Sequence, residues 1–114
     1  MSALRGLHLS LAFAVCAAVP FTATRAADPE VTIVLRNHRF EPAEVKVPSN
    51  TKIKLVIDNQ DPTPEEFESH QLNREKVIPG RSKGTVYIGP LKPGRYAFFG
   101  EYNEKTARGT VVAE

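Results

Sequence analysis

The chain contains very little sulfur and no tryptophan. Its 114 residues include one cysteine, Cys16, and one methionine, Met1. A single cysteine excludes a disulfide within the chain, which is the usual covalent stabilisation of small exported proteins. Both sulfur residues also lie in an N-terminal segment that we expect to be removed. The remaining chain then has no thiolate or thioether, the soft ligands that favour Cu(I) or Zn(II).

Residues 1–26 have the pattern of a secretory signal peptide. Arg5 supplies a positive charge, and residues 7–19 form a mostly apolar run, shorter than the about 20 residues that cross a bilayer. We expect cleavage after Ala26, because this leaves the small residue Thr24 at the −3 position, whereas cleavage one residue later would place Arg25 there. An uncleaved anchor or a disordered tail is the alternative. The pattern predicts export.

Removal of this segment also balances the charge. The full chain carries a formal net charge of +2. Without Arg5 and Arg25, thirteen basic residues face thirteen acidic ones. A balanced charge gives no electrostatic basis for nucleic-acid binding. Residues 27–114 are enough for one hydrophobic core, so we predict a single domain.

Alternating apolar and polar residues predict an all-β fold. In residues 52–58, for example, Ile53, Leu55 and Ile57 would share one face of a strand. Proline and glycine turn signals separate such segments. Seven or eight short strands in about ninety residues are typical of a Greek-key β-sandwich, and only residues 72–76 are compatible with a helical turn. The predicted strands are 31–36, 44–47, 52–58, 66–70, 76–78, 84–88, 95–100 and 109–113.

The segment from Glu66 to His70 carries the most informative polar residues. Side chains alternate between the two faces of a strand, so with Phe67 in the core, Glu66, Glu68 and His70 would share the opposite face. Two carboxylates and an imidazole can form a site for a hard or borderline metal ion. A charged edge strand that resists aggregation is the alternative, and spacing alone favours it.

Three further features are open to a structural or a functional interpretation. Glu101 follows an aromatic strand, at the start of a loop where sites are often built. His38 lies two residues before Phe40 and could share its face, although a lone histidine is more often structural than a ligand. The charged segment 74–76 is typical of a salt-bridged surface or of a docking site for a partner. Ser69 and His70 do not form a catalytic pair, because neighbours in a strand face opposite ways.

Two stretches of the sequence resemble the cupredoxins. Residues 40–48 and 54–61 are similar to the opening half of these copper proteins, and residues 89–96 through 109–112 are similar to the strands and loop that carry their copper ligands. The resemblance covers nearly all of residues 27–114. It implies a cupredoxin-like Greek-key β-sandwich.

Longer strings of residues resemble a narrower group. Residues 65–70 with 74–78, and residues 99–102, are similar to small periplasmic cupredoxin-like proteins that accompany bacterial Ftr-type ferrous-iron permeases. The cupredoxin domain of EfeO-type iron-uptake proteins has a comparable Glu-aromatic-Glu segment. The resemblance implies a periplasmic protein that binds iron or copper ions and assists Fe(II) oxidation and delivery to an inner-membrane permease. The expected metal ligands are Glu66, Glu68, Glu101, His70 and His38.

The sequence departs from the blue-copper proteins at every ligand position. The resemblance would place the thiolate near Gly100, one histidine near Glu65, and a second histidine and a methionine in the loop 101–108. Glu65 is therefore a reserve ligand, should the strand be shifted by one residue. The competing hypothesis is a metal-free adaptor that docks a periplasmic iron-binding protein onto the permease through residues 74–76.

Overall fold

The computed structural model describes residues 2–4, 6, 8–21 and 26–114. The described residues before residue 30 belong to no helix or strand, and those from 8 to 21 are exposed. Within the described ranges, no helix has the length and apolar character needed to cross a membrane. Arg5 and Thr24, on which the predicted signal peptide and its cleavage site depend, lie outside the described residues. The signal peptide stays a prediction.

Nine strands and one short 3-10 turn make up the described fold, so the predicted all-β sandwich is confirmed. The 3-10 turn is Glu101–Asn103, between the last two strands. The strands are β1 (Glu30–Arg36), β2 (Arg39–Glu41), β3 (Glu44–Val47), β4 (Ile53–Asn59), β5 (Glu65–Ser69), β6 (Arg74–Ile78), β7 (Ser82–Ile88), β8 (Gly94–Gly100) and β9 (Arg108–Ala113).

The strands form two sheets around one core. The first sheet has the order β2-β1-β4-β7, and the second has the order β3-β9-β8-β5-β6. Strands β1 and β4 pair in parallel, as do β3 and β9, whereas the other neighbours pair antiparallel. Strand β5 therefore lies between β8 and β6, near one edge of the second sheet.

The alternation of side chains along β5 positions the candidate site. Phe67 is fully buried, as the sequence predicted, and it packs in the core against Phe40 and Phe98 with ring centroids 6.4 and 5.2 Å away. Glu66 and Glu68 therefore lie on the outer face of the sheet, because they are the neighbours of an inward-facing residue. A well-packed aromatic core beneath them gives these carboxylates a rigid support.

Two local features differ from the sequence prediction. Strand β2 was not predicted; it pairs with β1 through a two-residue turn in which Asn37 and His38 both have positive φ, as such hairpin turns require. His38 therefore lies in this turn and does not share a strand face with Phe40. Residues 72–76, the one segment whose sequence was compatible with a helical turn, do not form one, because Asn73 has a left-handed conformation and β6 begins at Arg74.

Candidate metal centre

Three carboxylates converge on the outer face of the second sheet. Glu66 and Glu68 come from β5, and Glu101 is the first residue of the 3-10 turn that follows β8. Because Phe67 pairs with Gly100, the end of β8 lies beside β5 and Glu101 reaches the same face. One oxygen from each of the three side chains lies within 4.8 Å of the others. We call Glu66, Glu68 and Glu101 the outer carboxylate cluster.

Glu68 is the most enclosed member of this cluster. Its side chain is 17% exposed. Its Oε2 atom is buried and has no hydrogen-bond partner among the residues that the structure describes. Burying a carboxylate oxygen without a donor is unfavourable, and a cation at this position would satisfy it.

The three carboxyl groups shift one another's pKa values. The hydrogen bond that protonated Glu68 donates to Glu101, then burial and the nearby negative charges, raise the pKa of Glu68 to about 7. The same causes raise the pKa of Glu66. Hydrogen bonds from Glu68 and then Glu66 lower the pKa of Glu101. Close like charges cannot all ionise freely, so without a cation the cluster retains a proton near neutral pH.

A fourth carboxylate lies on the neighbouring strand. Glu75 of β6 is directly opposite Glu68 in the antiparallel pair, and its charge contributes to the raised pKa of both Glu66 and Glu68. Sequence reasoning assigned Glu75 only to a charged surface segment. The signal that could have placed it in the site was the register of the β5–β6 hairpin, because directly opposed residues share a face.

Glu65, the reserve ligand, faces the interior instead. Its side chain is 2% exposed, and it accepts hydrogen bonds at Oε1 from the Tyr102 and Glu66 amides, at 2.8 and 3.1 Å. Its Oε2 accepts a hydrogen bond of 2.6 Å from Asn103 Nδ2. Both oxygens are thus satisfied by protein donors. We call Glu65, Gly100 and Asn103 the inner pocket.

The inner pocket does not fit a blue-copper centre. These are positions where the resemblance would place a histidine, the thiolate and part of the ligand loop. A Cβ atom added to Gly100 would lie 2.7 Å from Glu65 Cδ and 2.8 Å from Ala107 Cβ. The Glu65 carboxyl group therefore fills the space that a cysteine side chain would need, and the residues present supply no thiolate.

The two histidines predicted as ligands, His38 and His70, lie outside the three-carboxylate group. His70 follows β5 in a turn, its side chain is 78% exposed, and its Nδ1 lies 3.9 Å from Glu68 Oε1. Its ring lies beside Phe99, with centroids 5.5 Å apart. His38 instead lies beside Asp61, which accepts its backbone N–H at 2.9 Å. It faces the cluster only across a cleft of about 530 Å³ that Glu101 also lines.

Two of the charged side chains proposed for partner docking bind strand β7. Arg74 Nε donates to the Tyr87 carbonyl at 2.9 Å, and Lys76 Nζ donates to the Thr85 carbonyl at 3.2 Å. β7 is an edge strand, and these contacts occupy carbonyls that its sheet leaves unpaired. This geometry favours a structural role for Arg74 and Lys76.

The fold is similar to that of known copper proteins. The metal-binding domain of the Streptococcus pneumoniae D39 Cu(I)-exporting P-type ATPase CopA has a TM-score of 0.66 and 14% identity, over 75% of this chain and 84% of that one. Auracyanin A, a blue copper protein from Chloroflexus aurantiacus, has a TM-score of 0.67 and 10% identity, over 77% of this chain and 100% of that one. At such low identity these similarities establish the fold.

A closer sequence match is an uncharacterized protein of Rickettsia prowazekii (strain Madrid E). It is 46% identical over 83 residues, which cover 73% of this chain and 66% of the relative. The chain thus spans slightly less than two thirds of that relative's length. The family model of the cupredoxin-like domain matches residues 9–113, which is most of the chain. The chain belongs to the cupredoxin-like domain family.

Proposed function

We propose that the protein binds iron as its cargo at the outer carboxylate cluster, as a periplasmic accessory of ferrous-iron uptake. The observation that carries the metal-binding part is the buried, unpartnered Oε2 of Glu68 among the described residues. Glu68 belongs to a group of three carboxylates that each have one oxygen within 4.8 Å of the others. Three anionic oxygens suit Fe(II), Fe(III), Mn(II) or Cu(II) better than Cu(I). The same oxygens could therefore also take up copper.

Carboxylate ligation also favours oxidation of the bound iron. Fe(III) carries one more positive charge than Fe(II), so three negative ligands attract it more strongly. Because the site then binds Fe(III) more tightly than Fe(II), binding lowers the reduction potential of the Fe(III)/Fe(II) couple. Oxidation removes one electron from each Fe(II), and dissolved dioxygen accepts it and is reduced to water. No part of this step requires the inner pocket.

The uptake role rests on the resemblance described above. The segment Glu66-Phe67-Glu68 supplies two of the three carboxylates, and it is part of the similarity to proteins that accompany ferrous-iron permeases. The proposed partners are an inner-membrane iron permease and a periplasmic iron-binding protein. The proposed location follows from the signal-peptide pattern of residues 1–26.

The direct test is the double variant Glu66→Gln/Glu68→Gln. Neutral amides keep the side-chain size but remove two anionic ligands, so we expect the affinity for Fe(II), Mn(II) and Cu(II) to fall by about 100-fold or more. Isothermal titration of the purified protein measures this, with circular dichroism to check the fold. Oxygen consumption with Fe(II) present, compared between the two proteins, tests the oxidation step.

The matched control is Asp28→Asn/Glu30→Gln. Both residues form exposed ion pairs, with Lys52 and Lys54, and their replacement removes the same charge at the start of β1, in the other sheet. This control should bind metal like the unchanged protein. If Glu66→Gln/Glu68→Gln retains full affinity while folded, the outer carboxylate cluster is not the site.

A further inference from the structure

The turn that carries Glu101 is tied to strand β5 by the buried carboxylate of Glu65. The Tyr102 amide donates to Glu65 Oε1 at 2.8 Å, and Asn103 Nδ2 donates to Glu65 Oε2 at 2.6 Å. Gly100 pairs with Phe67 across the sheet. The residue before Glu101 and the two residues after it are therefore attached to β5, the strand that bears Glu66 and Glu68.

Asn103 joins this attachment to the rest of the loop. Its carbonyl accepts hydrogen bonds from the amides of Thr106 and Ala107, at 3.1 and 2.8 Å. The Gly100 amide in turn donates to the Ala107 carbonyl at 2.8 Å. Backbone hydrogen bonds therefore connect the turn to residues 106 and 107 of the loop, and the hydrogen bonds to Glu65 connect it to β5. The residue before the turn, Gly100, has no side chain that could cap it, so the Tyr102 amide is satisfied by Glu65 instead.

We propose that Glu65 and Asn103 are positioning residues that hold Glu101 in the outer carboxylate cluster without touching the metal. Three donors converge on the buried carboxyl group of Glu65, and two of them, the Tyr102 amide and Asn103 Nδ2, belong to the turn, so Glu65 holds the turn against β5. The proposal rests on the proposed function, because it takes the cluster to be a metal site. It gives residues of the inner pocket a role in metal binding at the outer carboxylate cluster.

The test exchanges the donor and the acceptor between positions 65 and 103. Asn103→Asp removes the amide donor to Glu65 and puts a second carboxyl group in its place, which cannot donate when it is ionised. The double variant Glu65→Gln/Asn103→Asp restores a hydrogen bond in the reverse direction, since the glutamine amide introduced at position 65 donates to the new carboxylate at position 103. It also keeps the net charge of the unchanged protein. The measurements are the affinities for Mn(II) and Cu(II) of the purified proteins.

Positioning and simple electrostatics predict opposite signs for Asn103→Asp. An added negative charge beside the cluster would tighten cation binding, whereas displacement of Glu101 weakens it. We expect Asn103→Asp to bind about tenfold more weakly or worse, and the double variant to return to within about threefold of the unchanged protein. Equal or tighter binding by folded Asn103→Asp, or no recovery in the double variant, would overturn the proposal.

Asn50→Asp is the matched control. It introduces the same charge at an exposed asparagine in the turn between β3 and β4, and it should not change metal affinity. If Asn103→Asp does not fold, Asn103→Ala decides, because it removes the donor without adding charge. We expect Asn103→Ala to bind several-fold more weakly, and unchanged binding would overturn the proposal.

Hydrogen exchange at the Tyr102 amide separates this proposal from the proposed function. The exchange rate reports whether Glu65 holds the turn, with no metal present. We expect faster exchange in Asn103→Asp and recovery in the double variant. If the unchanged protein binds no metal, the proposed function fails, while this exchange still tests the attachment. Unchanged Tyr102 exchange in folded Asn103→Asp would overturn the attachment whatever the metal result.

Discussion

Glu65 and Glu66 are neighbours in the chain, but they belong to two regions with opposite character. In the inner pocket, Glu65 is buried and has hydrogen-bond donors at both oxygens. In the outer carboxylate cluster, Glu68 has a buried oxygen with no partner among the described residues, and its near neighbours are other carboxylates. The inner carboxylate already has protein donors at both oxygens, whereas a cation would stabilise the carboxylates of the outer cluster.

The difference shows how one residue along a strand changes the chemistry of a site. Successive side chains of β5 face opposite sides of the sheet, so Glu65 points to the core and Glu66 points outwards. A similar step separates buried Gly100, the last residue of the neighbouring strand β8, from exposed Glu101, the first residue of the 3-10 turn. The outer cluster is therefore displaced by one residue from two positions that the resemblance assigns to blue-copper ligands, and it lies on the other face.

The largest change in stability is expected from Gly100→Ala, because the inner pocket has no space for an added methyl group. The new methyl group would lie 2.7 Å from Glu65 Cδ and 2.8 Å from Ala107 Cβ. We expect the free energy of unfolding to fall by about 1–3 kcal/mol, as overpacked cores do. Urea denaturation measures this. Ala97→Ser, at an exposed residue of the same strand, should change it by less than about 0.5 kcal/mol, and equal effects would contradict a filled pocket.

A smaller effect is expected from pH, which acts on the outer cluster. The pKa of Glu68 is about 7 in the folded protein, against its ordinary value of 4.5. Between these values the folded state holds a proton that the unfolded state has lost, so stability is greatest at the acidic end and falls as pH rises through 7. The raised pKa of Glu66 acts in the same direction. Glu101, with its lowered pKa, is ionised in both states above 4.5 and adds no slope there.

Urea denaturation of the metal-free protein at pH 5, 6, 7 and 8 tests this pH dependence. The reference is Glu68→Gln, which cannot lose a proton at this position. The free energy of unfolding of the unchanged protein should decrease, relative to that of Glu68→Gln, from pH 5 to pH 8. A constant or rising difference would contradict a shared proton in the cluster.

The smallest effects are expected at the two histidines. His70 is exposed and reaches only the edge of the cluster near Glu68, so His70→Ala should weaken Mn(II) binding by about two- to fivefold. His38 lies in another turn beside Asp61, and His38→Ala should leave the affinity unchanged. Titration of both variants measures this. A loss of binding in His38→Ala as large as that in Glu66→Gln/Glu68→Gln would place the metal in the cleft between His38 and Glu101.

Local patterns in the sequence predicted most of the fold and placed two of the three carboxylates of the outer carboxylate cluster on one face. Alternation located eight of the nine strands, and the parity of Phe67 placed Glu66 and Glu68 on one outer face. Strand β2 has only three residues, which is too short for alternation to be recognised, and its turn contains no glycine.

The contacts that complete the site depend on pairing between distant strands. Glu75 lies opposite Glu68 because of the β5–β6 register, and Asn103 meets Glu65 across 38 positions of the chain. Glu101 could be suggested by its loop and by resemblance, but its distance from Glu66 follows from the pairing of Phe67 with Gly100. Periodicity describes one strand at a time and does not contain this information.

The most direct measurement is a crystal structure of the purified protein soaked anaerobically with Fe(II), with the ion located by anomalous scattering at the iron edge. We predict one iron ion bonded to carboxylate oxygens of Glu66, Glu68 and Glu101, with Glu65 still bound to Asn103 and the Tyr102 amide. Iron in the inner pocket beside Glu65 and Gly100, or no ion at the outer carboxylate cluster, would contradict the account.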